Sequence, residues 1–372
     1  MRVAIIHPWF PQYRVGFFEG LVARAAEVGI EIKIFHGDSP PEWKDRNDGA
    51  SSQEFIRLPT RFFNLRGRTL NHKSLKPFRS QGRFDLVIVE QAVRNLETYE
   101  LLLWGARLAY WGHGKTYTIP VSAAQERLKQ WLTRKGRWFF AYTIGGLDAV
   151  SAAGYPRERG TVVQNSIDTS VLKSEIAEIG VETLQGFTRR HDLRGKTALY
   201  IGGLDSSKRL DFLIDAVELA HEIDPDFRLL LAGSGTERHK VEARARELPF
   251  VTYLGSLFGP DKALAIKASE IMAMPGRVGL VAVDSFAGGT PIVTTNWAWH
   301  APEFEYLEAG VNSVITGNDE GTYALALIET VNDTAALAAL SIACEEASTK
   351  YTVEAMVRNF VQGIQKVLVE RK

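Results

Sequence analysis

Cysteine is almost missing from this sequence. Cys344 is the only one in 372 residues, so no disulfide can form within the chain, and a reducing compartment is expected. Cys344 itself reads as a small helix-packing residue. Net charge is missing too, with 44 basic residues against 44 acidic ones, so bulk charge selects no partner. No apolar run reaches the roughly 20 residues of a membrane-spanning helix. No charged and apolar leader precedes the first strand, Val3 to Ile6, so a classical secretion signal is not expected. Zinc-finger spacing, an aromatic RNA-binding motif and a recognition-helix pattern are all lacking, which argues against nucleic acid as a partner. What is present, 45% hydrophobic and 10% aromatic, describes an ordinary globular protein. Its length exceeds one core and predicts two domains.

One shortage is local. Between Phe55 and Phe84 there is no aspartate or glutamate, yet Arg57, Arg61, Arg66, Arg68, Lys73, Lys76, Arg79 and Arg83 fall there beside Phe62, Phe63 and Phe78. A second basic stretch, Gln125 to Tyr142, sets Arg127, Lys129, Arg134, Lys135 and Arg137 among Leu128, Trp131, Leu132, Trp138 and Phe139. Its part before a strand expected over Phe139 to Thr143 suits a helix lying on anionic lipid, and an ordinary solvated face is the alternative. Together the two stretches predict one positive, aromatic-bearing surface facing an anionic acceptor or membrane.

The most informative stretch is Glu270 to Thr295, EIMAMPGRVGLVAVDSFAGGTPIVTT. Ile271 to Met274 is a short apolar run stopped by Pro275 and Gly276, Gly279 permits a tight turn, and Leu280 to Ala287 has apolar residues at helical spacing. Gly288 and Gly289 end that helix before the strand PIVTT. A strand, glycine turn and helix aim backbone N–H groups and the positive helix end at a phosphate above the strand. Asp284, one turn beyond Leu280, could accept hydrogen bonds from a ribose diol. A plain βαβ unit whose glycines only allow close packing is the bland alternative.

This stretch resembles the signature of the family-four, group 1 glycosyltransferases of the GT-B fold, in which two glutamates with seven residues between them flank a glycine turn. The second acid falls on Asp284, while the first falls on Gly276, with Arg277 next to it to take over part of its role. The resemblance implies an α/β chain of two Rossmann-like parallel-sheet domains facing a cleft, with a final helix crossing back to the first domain. It places an acceptor domain at residues 1–168, a nucleotide-sugar domain at 169–350 and the returning helix at 351–372. That helix fits the apolar spacing of Val353, Met356, Val357, Phe360, Ile364 and Val367.

The strand Thr197 to Gly202 is followed by Gly203, Lys208 and Arg209 near a helix start. In the family an arginine and a lysine hold the donor diphosphate here. Lys208 matches the lysine and Gly203 occupies the arginine position, so the diphosphate would rest on Lys208, Arg209 or Arg277 and on N–H groups around Gly202, Val278, Gly279 and Leu280. Gly233, Ser234 and Gly235 begin a dinucleotide-type glycine motif that fails at Arg238, and Gly233 is retained as a donor-site residue. Gly255 to Gly259 resembles the loop over the base. Asp224, Pro225 and Asp226 spell a metal-binding triplet but precede a strand, so a solvated turn explains them.

In the first half, HPWFPQYRVG ends the first strand with His7, Tyr13 and Arg14, where open α/β sheets place ligands. Tyr13, Arg14 and Lys115 are expected at the acceptor, with Arg14 as a surface residue at the helix start the alternative. ARLAYWGHGKTYT, 106–118, carries His113 between Gly112 and Gly114 with Lys115 behind. Flanking glycines leave the ring uncovered, and His113 resembles the family's histidine that contacts the transferred sugar. Asn165, Ser166, Ile167 and Asp168 resemble the crossover between domains, with Ser166 in place of glycine.

The expectation is thus a glycosyltransferase that moves a sugar with retention from a nucleotide diphosphate donor to a glycan or lipid-linked acceptor in cell-surface polysaccharide synthesis. Catalysis is assigned to His113, Lys208 and Asp284, without a metal, cofactor or covalent nucleophile. The enzyme is expected in the cytoplasm, peripheral on the inner face of the membrane. A nucleotide-sugar epimerase of the same fold, needing a carboxylate pair not evident here, and a donor-binding protein that has lost catalysis are the rivals.

Overall fold

The computed structural model describes residues 1–41, 49–50, 54–65, 68–117 and 122–369. Arg66 and Thr118 lie outside them. The chain folds into two compact units, residues 1–167 with 353–372, and residues 168–352.

Unit 1 contains β1 (Arg2–His7), α1 (Val15–Glu27), β2 (Glu31–His36), β3 (Ile56–Arg57), β4 (Thr60–Leu65), β5 (Arg68–Lys73), α2 (Lys76–Arg79), β6 (Leu86–Glu90), α3 (Leu96–Leu103) and β7 (Leu108–Gly112). It continues with α4 (Ala123–Arg134), β8 (Trp138–Ala141), α5 (Ile144–Ala152) and β9 (Gly160–Val162). Seven of its strands form one parallel sheet, ordered β3-β2-β1-β6-β7-β8-β9. Strands such as LAYWG and WFFA are buried throughout, as continuous apolar runs must be when helices cover both faces of a parallel sheet.

β4 and β5 form a separate antiparallel hairpin. It revises the reading of Phe55 to Phe84 as part of one positive, aromatic-bearing surface. Lys73 turns inward to a buried ion pair with Glu97 at 2.8 Å, Arg57 pairs with Asp38 and Arg79 with Glu100. Phe78 is buried and stacks on Phe84, whereas Phe63 remains exposed. In the second basic stretch, Leu128 and Trp131 lie exposed on α4 with Lys135 over the Trp131 ring, but Trp138 belongs to the core strand β8 and is 1% exposed.

Unit 2 contains α6 (Ser170–Glu178), α7 (Val181–Arg190), β10 (Thr197–Ile201), α8 (Leu210–Ile223), β11 (Arg228–Ala232), α9 (Arg238–Glu247), β12 (Val251–Gly255) and α10 (Gly259–Lys267). β13 (Ile271–Ala273), α11 (Val281–Gly288), β14 (Ile292–Thr295), β15 (Ser313–Thr316), α12 (Glu320–Asn332) and α13 (Thr334–Lys350) complete it. Its six strands are parallel in the order β12-β11-β10-β13-β14-β15, a doubly wound sheet whose direction of growth reverses between β10 and β13. Ligands of such sheets sit at that reversal, beyond the carboxyl ends of the strands.

The last helix, α14 (Val353–Val369), returns to unit 1. Its Phe360 stacks on Phe140 with centroids 4.4 Å apart and meets Trp111 and Phe17 edge-on. Gly363 is required there: a Cβ would lie 2.5 Å from the Phe140 ring. Among the described residues no single helix is long and apolar enough to cross a membrane.

Candidate functional site

At the β10/β13 reversal of unit 2 the two strand-end loops interlock. Arg277 N–H donates to Ser207 O at 2.9 Å, Lys208 Nζ donates to Arg277 O at 2.7 Å, and Arg209 donates to Pro275 O at 3.2 Å. Gly276 lies at the closest approach. A Cβ there would stand 2.4 Å from Lys208 O and 2.6 Å from Ser207 O, so the position has no room for any side chain. Its glycine is a packing requirement, and a carboxylate from this position is sterically barred.

The neighbouring loops close in the same way. Gly202 N–H bonds Ala232 O and Leu204 N–H bonds Ser234 O, while a Cβ on Gly233 would fall 1.8 Å from Gly202 O and one on Gly235 2.3 Å from Leu204 O. The glycine pair at 233–235 therefore serves close approach to the β10 loop, which explains the truncated dinucleotide motif. Gly203 O accepts from Tyr200 Oη at 2.6 Å, and Asp205 accepts from Ser207 N–H, shaping the turn that presents Lys208. Gly255 adopts φ +72° and its carbonyl accepts from Gly233 N–H, ahead of an exposed Phe258.

Arg209 has a structural task of its own. It sits at φ +56°, unusual for a residue with a Cβ, and its guanidinium lies 4.0 Å over Phe212 while donating to Pro275 O, Thr295 Oγ1 and Asn318 Oδ1. Through Nη1 it ties the loops beyond β10, β13 and β14 to Asn318. Burial lowers its pKa. Arg277 is likewise partly buried, its pKa lowered by desolvation and sustained by Glu303 and Asp205.

His300 and Glu303 were not singled out for this site by the sequence. His300 is 4% exposed; its Nδ1 accepts from Val278 N–H at 3.1 Å and its Nε2 faces Thr295 O at 2.8 Å. A carbonyl only accepts, so the ring is neutral with its proton on Nε2. Burial first, then Lys208, Arg209 and Arg277, pushes its pKa down to about 4. The ring stacks on Phe304, 4.0 Å away and parallel. Glu303, also buried, brings Oε2 to 3.7 Å from where a Gly279 Cβ would be. A histidine and an acid close to Pro302 were the available signal, but nothing local showed that they fold over Val278 and Gly279.

With the Arg277 and Val278 amides occupied, the amides of Gly279 and Leu280 open α11 without a protein acceptor among the described residues. Asp284 sits in the first turn of α11 and is not a bare carboxylate: Lys262 Nζ donates to its Oδ1 at 2.7 Å. The arrangement offers amides and cations for an anion, and buried or paired carboxylates for hydroxyl donors.

The other expected site residues lie in unit 1. His113 is not uncovered as its glycine neighbours suggested: its ring packs 4.8 Å from Tyr142 and 5.8 Å from Tyr117. The glycines serve the loop itself, since Gly114 has φ +76° and a Cβ there would fall 2.0 Å from Gly146 O. Lys115 is exposed, with Nζ 4.7 Å over Tyr117. Tyr13 is exposed as well. Arg14 is neither at the surface nor placed for an acceptor. It is 2% exposed, donates to Asn165 Oδ1 at 2.6 Å and Ser166 O at 3.3 Å, and lies among Trp111, Tyr142 and Phe17. It anchors the Asn165–Ser166 segment inside unit 1. His7 is buried too, its pKa pushed down to about 3 chiefly by desolvation. Asp224 and Asp226 occupy the α8–β11 turn and are paired with Lys196 and Arg194.

The whole fold is that of solved GT-B glycosyltransferases. HepE of Anabaena in complex with UDP-glucose aligns with TM-score 0.70 at 16% identity, covering 98% of this chain and 100% of that one. The lipopolysaccharide outer core galactosyltransferase WaaB aligns with TM-score 0.64 at 15% identity, covering 98% and 99%. Residues 195–333, which hold the interlocked loops, match the model of glycosyl transferases group 1. The likeness to that family is carried by this segment of unit 2. The chain is 24% identical over 312 residues to a D-inositol 3-phosphate glycosyltransferase of Pseudarthrobacter chlorophenolicus, 75% of this chain and 73% of the relative. It is 28% identical over 107 residues to a phosphatidyl-myo-inositol mannosyltransferase of Mycobacterium leprae, 27% of this chain. The matched stretch spans only 29% of that mannosyltransferase, and 28% of the mannosylfructose-phosphate synthase of Agrobacterium fabrum.

Proposed function

We propose that the protein transfers a sugar from a nucleotide diphosphate-sugar to an acceptor hydroxyl, with retention at the anomeric carbon. The observation that carries this reading is the junction of the β10 and β13 loops, where Lys208, Arg277 and the first amides of α11 gather within a group 1 glycosyltransferase segment. Lys208, Arg277 and the Gly279 and Leu280 amides hold the diphosphate and stabilise it as it leaves. Asp284, positioned by Lys262, accepts from the ribose. Glu303, beside Gly279, accepts from hydroxyls of the donor sugar, a task the crowded position 276 cannot perform. His113 acts on the transferred sugar, and Lys115 and Tyr13 meet the acceptor. The reading requires neither a metal nor a covalent nucleophile.

The acceptor in this reading is a glycan or lipid-linked saccharide of cell-surface polysaccharide synthesis, used at the cytoplasmic face of a membrane. The lipid-acceptor name of the Mycobacterium leprae relative supports this, as do exposed Leu128 and Trp131 beside Lys135 on α4. The test incubates the protein with a panel of nucleotide sugars and lipid-linked acceptors and reads free nucleotide. Acceptor-dependent release from one donor is expected; no release from any donor, with or without acceptor, contradicts the proposal.

A further inference from the structure

Unit 1 encloses a pocket of about 40 Å³ between α4, α5 and the loop that ends β7. At roughly 10–15 Å³ for each water centre, it has room for about three waters or a phosphate-sized group. Its floor is fixed: Gln91 Oε1 accepts from Gly114 N–H at 3.1 Å and Gln91 Nε2 donates to Thr133 Oγ1 at 2.8 Å. The close approach of Gly114 to Gly146 keeps the loop pressed on α5. The charged groups lining it are Lys115, Lys129 and Arg134 against one carboxylate, Glu126. Arg134 spends one nitrogen on Ala153 O at 2.7 Å. Lys129 Nζ has no hydrogen-bond acceptor and no ion pair among the described residues, although burial lowers its pKa more than Glu126 raises it. A partly desolvated ammonium with its carboxylate neighbour beyond ion-pair distance gains when an anion joins it.

We propose that this pocket binds a phosphate-type oxyanion, gripped by Lys129 with Lys115 and Arg134 adding charge. The pocket is built by unit 1 and not by the donor loops, and it shares Lys115 with the acceptor side of the proposed function. Its ligand chemistry is a phosphomonoester, supplied as free phosphate or as part of a phosphorylated saccharide.

The test titrates inorganic phosphate by calorimetry at fixed ionic strength, with chloride as control, into wild type, Lys129→Gln, Lys129→Arg and Lys208→Ala. Binding to wild type is expected to weaken about tenfold or more in Lys129→Gln and to persist in Lys129→Arg and Lys208→Ala. The Lys129 Cε resonance should report a pKa that rises when phosphate is added. A hexose 1-phosphate binding tighter than phosphate identifies a saccharide source, and equal binding a free anion; both support the site. No phosphate binding by wild type, full binding by Lys129→Gln, or loss only in Lys208→Ala overturns it.

Discussion

Replacing Gly276 by alanine tests whether that position is closed by packing. The added Cβ would sit 2.4 Å from Lys208 O, 2.5 Å from Lys208 C and 2.6 Å from Ser207 O. All three are backbone atoms, so no side chain can rotate away. To restore even 3.0 Å the loops must part by about 0.6 Å, which stretches the Arg277–Ser207 and Lys208–Arg277 hydrogen bonds that join them. Overpacking costs about 1–3 kcal/mol and each weakened hydrogen bond up to about 1 kcal/mol, so a loss of about 2–4 kcal/mol is expected. Urea unfolding reads the stability, and calorimetry reads nucleotide affinity, which should fall because Lys208 and Arg277 shift together. Gly276→Glu should do worse than Gly276→Ala. Wild-type stability and affinity in Gly276→Ala, or activity improved by Gly276→Glu, would refute the packing argument.

Arg14→Met should destabilise the protein by about 2–4 kcal/mol in urea, since it strips Asn165 and Ser166 of charged donors in a buried site. Nucleotide affinity should stay within about twofold. Lowering the pH should weaken unit 2: the His300 pKa, about 4 when folded against 6.5 ordinarily, makes the unfolded chain bind the extra proton. Stability then falls as pH drops from about 6.5 to 4 and levels off below, by up to about 3 kcal/mol; an equal slope in His300→Gln would remove His300 as the cause. His113→Ala should lower the turnover constant with little change in nucleotide affinity, and unchanged turnover would make the residue structural. Wild type should float with anionic liposomes at low salt and be released when Arg134, Lys135 and Arg137 become glutamine, each cation contributing about 1 kcal/mol; indifference to anionic lipid would make α4 an ordinary solvated helix.

The strands, glycine turns and returning helix were legible because apolar runs and helical spacing are local properties. Ile271 to Met274, the turn at Gly279 and the helix after Leu280 correspond to β13 and α11 within a residue or two. What the sequence concealed arises from distant contacts. Arg14 looks like a helix-start residue until Met356, 342 positions later, and Asn165 close over it. Gly276 reads as a lost acid in one dimension and as a contact with Lys208 and Ser207 in three. Lys73 counts toward a positive patch until the β4–β5 hairpin turns it onto Glu97. His300 and Glu303 had no periodic or motif context, so their place beside Val278 and Gly279 could emerge only from the fold.

The function proposed for this protein requires that the interlocked β10 and β13 loops bind a nucleotide diphosphate. Calorimetric titration of wild type, Lys208→Ala and Asp284→Ala with UDP and GDP tests it most directly. Wild type is predicted to bind one of them, with each substitution weakening binding by roughly tenfold or more because a charged hydrogen bond is lost. Binding of neither nucleotide by wild type, or wild-type affinity in both variants, would contradict it.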